Sequence, residues 1–121
     1  MNTALWIAQG LLAFVFLMSG GMKLVTPKAK LVEKLTALKP IPAGAIKIIG
    51  LLEVLGAIGI VVPALTGILP GLTVWAAVGL ALTMIGAALA HIRAGELPAI
   101  GMNVVLFALA VFVAWGRWDW L

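Results

Sequence analysis

A chain of 121 residues with 64% apolar and only 10% charged side chains cannot cover a packed core with a water-facing surface; soluble domains run to about 45–50% apolar and about 25% charged. Lipid is therefore the expected solvent for most of its surface, and at about 20 apolar residues per spanning helix the length admits four spans and no separate soluble domain. The absence of cysteine excludes disulfides and thiol chemistry, and the formal charge of +4 is concentrated in one connection, which argues for membrane head groups and against nucleic acid.

The first apolar run covers about 4–24. It carries no Lys or Arg before Lys23, so it lacks the basic start of a signal peptide and is expected to remain as a spanning helix. The connection that follows is long enough to hold structure. Thr26-Pro27 reads as a helix start and Pro40-Ile41-Pro42 as its close. Between them Leu31, Val32, Leu35 and Leu38 share one face, with Lys28, Lys30, Lys34 and Lys39 mostly off it, so 27–39 is expected to form an interfacial amphipathic helix. A second span covers about 45–62 and stops at Pro63, a third about 68–91, and a fourth about 97–115. Length and near absence of charge, more than periodicity, mark these as spans. Short connections at 63–70 and 91–96 make consecutive helices antiparallel, giving an all-α, up-down-up-down four-helix bundle over a single transmembrane domain, 1–121.

Four crossings place both termini on one side with the 63–70 connection, and the 23–47 and 91–96 connections on the other. Lys23, Lys28, Lys30, Lys34, Lys39, Lys47 and Arg93 fall on the second side, and Arg117 alone on the first. The positive-inside rule then makes the protein a multi-pass cell (inner) membrane protein with cytoplasmic connections and external termini. Trp6, Trp115, Trp118 and Trp120 are expected as an aromatic belt at the outer interface.

An ionisable side chain at membrane depth costs about 2.5–3.5 kcal/mol on insertion scales and marks a functional hypothesis. Glu53 lies roughly 12 Å into the second span at about 1.5 Å per residue. It sits on a stripe of small residues, with Gly50, Gly56 or Ala57, and Gly59 or Ile60, that should face the bundle. There its carboxyl is either paired with a cation or kept protonated by burial. Depth matching offers Ser19, Lys23, Lys47, His91, Arg93 and Asn103, all in the cytoplasmic half. Lys23 reads either as a snorkelling interfacial lysine or as the counter-ion of Glu53, and Lys47 as a snorkelling lysine. His91 can carry protons or cap carbonyls, and a lone histidine makes no metal site. Asn103 reads as an interhelical hydrogen-bonding group. On the third span Ala76, Gly79, Thr83, Ala87 and His91 form a small, polar face expected to line the bundle. The outer half has almost no polar side chain apart from Gln9, Thr66, Thr73 and the tail, so a pocket open to polar groups only on the inner side should result.

Three segments together, Ser19-Gly20-Gly21-Met22-Lys23-Leu24, then Ile49-Gly50-Leu51-Leu52-Glu53-Val54-Leu55-Gly56-Ala57-Ile58-Gly59, then Gly86-Ala87 leading to His91-Ile92-Arg93-Ala94-Gly95-Glu96, resemble the DoxX-like family of small four-helix membrane proteins. The resemblance covers nearly the whole chain and implies fold and location more than a reaction. That family is named for a membrane subunit associated with a thiosulfate:quinone oxidoreductase, and a wider group of relatives includes a eukaryotic chaperone of nicotinic receptors. An assembly role and a lipophilic-ligand site are both implied. Lys23, Glu53, His91, Arg93 and Glu96 match family positions, with no catalytic set attached to them.

The leading expectation is an accessory subunit or helper that binds a lipophilic, quinone-like molecule in a polar pocket around Glu53, with Lys23, His91, Asn103, Ser19, Thr83 and Arg93 as further contacts. With no cysteine and one histidine, electrons would come from a partner or a bound cofactor. The alternative is a structural or assembly factor for a membrane complex, partnered by another membrane protein or a second copy. A small proton-coupled transporter fits less well, because in the small multidrug transporters of this size the intramembrane glutamate lies in the first helix. An acid-base membrane enzyme would need a second catalytic group near Glu53.

Overall fold

The computed structural model describes residues 2–34 and 36–121 and, at Lys34, the backbone alone. Four helices among the described residues are long and apolar enough to cross a membrane: α1 (Asn2–Val25), α3 (Ala43–Thr66), α4 (Gly71–Ala94) and α5 (Leu97–Gly116). A short helix α2 (Lys28–Lys34) and a 3₁₀ turn (Thr36–Leu38) fill the long connection, and a second 3₁₀ turn (Trp118–Trp120) follows α5. The helices form a closed ring in which α1 packs on α3 and α5, and α4 packs on the same two. Both termini share one end, where Arg117 reaches Asn2; this terminal end lies opposite the basic end that carries α2.

The core runs down the ring axis through Leu12, Phe16, Ile60, Leu80, Leu106 and Val113. Large apolar side chains such as Leu11, Phe14, Leu51, Leu55, Leu82 and Val105 are left exposed along the outer faces of the same helices. A surface of that kind needs lipid around it, and the protein is a small multi-pass membrane protein.

Helix ends follow local chemistry. α3 and α4 each stop at a glycine in the left-handed region, Gly67 (φ 71°) and Gly95 (φ 73°), whose N–H groups close back on the carbonyls of Pro63 and of His91 and Ile92. Lys47 Nζ donates to the Leu24 carbonyl at 2.9 Å and so satisfies one of the open acceptors at the end of α1.

Three sequence expectations change. Pro63 does not end its helix; it is buried inside α3, which continues to Thr66. Proline costs a helix the hydrogen bond to the carbonyl four residues back and crowds that residue. Here that residue is Gly59, and Gln9 Nε2 donates to the next carbonyl, that of Ile60, at 2.7 Å. The third span starts at Gly71, not 68, because Ile68, Leu69 and Pro70 make the turn, with Leu69 at φ 47°. The inward face of α4 is also wider than the expected one, of which Ala76, Thr83, Ala87 and His91 do turn inward. Thr73, Val74, Ala77, Leu80, Ala81 and Met84 are buried, whereas Gly79 is exposed.

The connection 27–39 turns Leu31 and Leu38 onto Ile46, with Val32 and Ile41 beside them. Its apolar residues are thus largely covered by protein. Leu35 lies outside the described residues.

Candidate functional site

The site begins with two glycines. Where α1 crosses α3, a Cβ placed on Gly20 would lie 2.5 Å from the Gly50 carbonyl oxygen, and one on Gly50 would lie 2.8 Å from the Gly20 carbonyl oxygen. Only backbones without side chains approach this closely. The crossing carries Lys23, three residues beyond Gly20, alongside Glu53, three residues beyond Gly50. Lys23 Nζ donates to Glu53 Oε1 at 2.5 Å and to Ser19 Oγ at 2.8 Å. The Glu53 side chain is 2% exposed and that of Lys23 13%. A buried carboxylate is tolerable only when paired and hydrogen-bonded, and Lys23 supplies the pairing; of its two readings, the counter-ion is the one the geometry realises. Ser19 occupies the turn before Lys23 on the same helix face and steadies the ammonium.

Beside this pair lies a cavity of about 350 Å³ enclosed by all four long helices. Its walls are mainly apolar, from Val15 and Phe16 on α1, Ile49 and Leu52 on α3, Met84 and Ala87 on α4, and Leu106 on α5. Ala37, Leu38 and Ile41 close it at the basic end. Six of the seven residues singled out as contacts line it: Ser19, Lys23, Glu53, Thr83, His91 and Asn103. Arg93 does not. Two residues beyond His91, it is exposed and borders a separate groove with Thr36 and Lys39.

The polar groups differ in how far they are already engaged. The Thr83 hydroxyl donates to the Gly79 carbonyl of its own helix at 2.9 Å. Asn103 Nδ2 reaches only the soft acceptor Met84 Sδ, at 3.4 Å, and its Oδ1 has no partner. His91 Nδ1 faces Glu96 Oε1 at 3.8 Å, too long for a hydrogen bond; a protonated imidazole would make it an ion pair. Among the described residues no cluster of three His, Asp or Glu side chains comes together to hold a metal. The arrangement can therefore grip a small molecule by one end in a mainly apolar pocket, with a neutral ion pair, an amide and an imidazole at its wall.

A second polar group at the terminal end is absent from the sequence reading. Arg117 folds back over the bundle, where its Nε donates to Gln9 Oε1 at 3.0 Å and its Nη1 to Asn2 Oδ1 at 2.8 Å. Its guanidinium lies 4.3 Å from the centroid of the Trp120 ring and 5.6 Å from that of Trp6. Burial lowers the Arg117 pKa and nearby Asp119 offsets part of that; the guanidinium starts so high that it stays charged. Trp6 and Trp120, expected simply as belt residues, are thus engaged by a cation, while Trp115 and Trp118 are exposed. The available signal was one arginine among the tryptophans at the terminal end, on the same side of the bundle as Asn2 and Gln9.

A family model described as the DoxX-like family matches residues 7–113. The chain belongs to the DoxX-like family. No curated protein and no solved structure matches the chain. The segment shared with other DoxX-like chains contains every residue that lines the cavity. Arg117 and Asn2 of this DoxX-like protein lie outside it, whereas Gln9, which Arg117 contacts, lies within it.

Proposed function

We propose that this DoxX-like protein is an accessory subunit or helper that binds a lipophilic, quinone-like small molecule in the cavity around Glu53. The observation that carries this reading is the coincidence of the buried Lys23–Glu53 pair with a cavity of about 350 Å³. Ligand pockets commonly measure about 300–1,000 Å³ and are apolar with a few placed polar groups. A pair that only fixed helix register would need no space beside it, nor the convergence of Asn103 and His91 from two further helices. Asn103 Oδ1 is an acceptor without a donor, which favours a head group carrying a hydroxyl, as in a reduced quinone.

Equilibrium binding of quinones and quinols to the purified protein in lipid nanodiscs tests the reading. Glu53→Gln is expected to weaken binding about tenfold, or 1.4 kcal/mol. Equal affinity in the variant and the parent removes Glu53 from the site.

A second reading, an assembly factor for a membrane complex, draws support from Gly79. Lipid-facing and with open space where a side chain would be, it leaves room for a partner's helix. Recovery of the free protein alone after mild extraction counts against it. For orientation we propose cytoplasmic connections and external termini in the cell membrane, supported by the seven basic residues on one side against Arg117 on the other.

A further inference from the structure

Of the residues that line the cavity, two are also exposed on the outside of the bundle, Leu52 on α3 and Gly86 on α4. A residue that belongs to both surfaces marks a mouth. The neighbouring helix contacts agree. Toward the terminal end α3 and α4 are in close contact: a Cβ on Gly56 would lie 2.6 Å from Leu80 Cδ2, and one on Gly59 would lie 3.2 Å from Ala76 Cβ. A Cβ on Gly86 would meet nothing within 4 Å. The two helices are therefore in close contact along the terminal half, and at the level of the cavity Leu52 and Gly86 both line it and face outward, which puts its side opening between them. Ala37 and Leu38 are buried across the basic end, Phe16 is buried on the other side, and a shallower groove between α4 and α5 shares Met84 and Asn103 with the cavity.

The gap between Leu52 and Gly86 opens sideways, toward lipid. From this we infer that the cavity is a side-entry site for an amphiphile with a compact, neutral, hydroxyl-bearing head and a linear apolar tail, the head held inside and the tail lying in the gap between Leu52 and Gly86. This rests on the binding reading above and specifies its ligand class and route. A neutral head follows from the wall chemistry: Lys23 and Glu53 already cancel, so a charged head would bring an uncompensated charge into an apolar enclosure. A tail follows from the opening, which faces lipid between Leu52 and Gly86 and lets an apolar chain leave the cavity beside a head held within.

The test uses two probes that share one head, a benzoquinol bearing a decyl tail and the same benzoquinol without it, titrated onto the full chain in nanodiscs. Gly86→Phe fills the gap from the α4 side, and the open space there lets the bundle accept the ring. The expected result is at least about a tenfold loss of affinity for the tailed probe with affinity for the tailless probe retained, which also reports that the variant is folded. Leu52→Trp, narrowing the gap from α3, should reproduce the split, and it serves alone if Gly86→Phe does not fold. Unchanged affinity for the tailed probe, or equal loss of both probes in a folded variant, overturns side entry. Failure of either probe to bind the unmodified protein refutes the binding reading itself, and the side-entry site with it. Oleate, an apolar tail on a charged head, should not displace the tailed quinol; displacement overturns the neutral-head requirement.

Discussion

Replacing Gly20 with alanine should prise α1 from α3 at the point where they hold the buried ion pair. The new Cβ would sit 2.5 Å from the Gly50 carbonyl oxygen, short of ordinary contact by nearly an ångström, and the obstacle is backbone, which cannot rotate aside. Such overpacking costs about 1–3 kcal/mol. If the helices part by that amount, the 2.5 Å contact between Lys23 and Glu53 loses about a quarter of its Coulomb attraction. Alanine also favours a helix over glycine by about 1 kcal/mol, which masks part of the loss. Gly10→Ala isolates that gain, because Gly10 is exposed on the same helix with nothing within 4 Å of the added atom. Helix content followed through a titration with sodium dodecyl sulfate in mixed micelles should place Gly20→Ala about 1–3 kcal/mol below Gly10→Ala. Equal stability of the two variants would refute the claim that this crossing positions the pair.

Glu53→Gln and Lys23→Gln each strand a partner at depth and should destabilise more than the double variant implies by addition, with a coupling of about 3 kcal/mol in a double-mutant cycle; additivity would dissolve the pair. Arg117→Ala removes charge-assisted hydrogen bonds to Gln9 and Asn2 and should cost about 3 kcal/mol in the same unfolding assay, whereas Arg93→Ala, at an exposed position, should be nearly neutral. Because the chain has no cysteine, single cysteines at Lys30 and at Gly67 can be labelled from either side of intact cells. An impermeant maleimide should reach Gly67→Cys and not Lys30→Cys, and the reverse pattern would invert the orientation.

The four spans are legible in the sequence because an apolar run of that length has no other stable setting, and Glu53 is legible because an acid at depth is costly and stands out in an apolar run, whether it serves packing or a ligand. What lies beyond them is harder to read for a physical reason. In lipid the inside and the outside of a helix are equally apolar, so hydrophobicity does not say which face of α4 turns inward; Gly79 and Ala77 are both small, and only packing separates them. Lys23 illustrates a second limit, since depth makes it a neighbour of Glu53 but only the Gly20–Gly50 crossing makes it a partner. Pro63 shows a third: a proline at the end of an apolar run reads as a stop, but α3 runs on to Thr66, with Gln9 of α1 donating to the Ile60 carbonyl beside the interrupted turn. Arg117 looked like an isolated interfacial charge because its acceptors lie more than a hundred positions away, on α1.

The union of Lys23 with Glu53 also bears on how the protein is made. Synthesis runs from α1 to α3, so the ammonium is in the membrane before the carboxylate arrives. A lone Glu53 entering hydrocarbon would resist insertion by a few kcal/mol, about 2.5–3.5 on translocon scales. With α1 waiting alongside, α3 can leave the translocon as half of a neutral couple. The order of synthesis thus matches the order of pairing, and a variant without Lys23 should insert α3 less efficiently, which glycosylation mapping of that span would read.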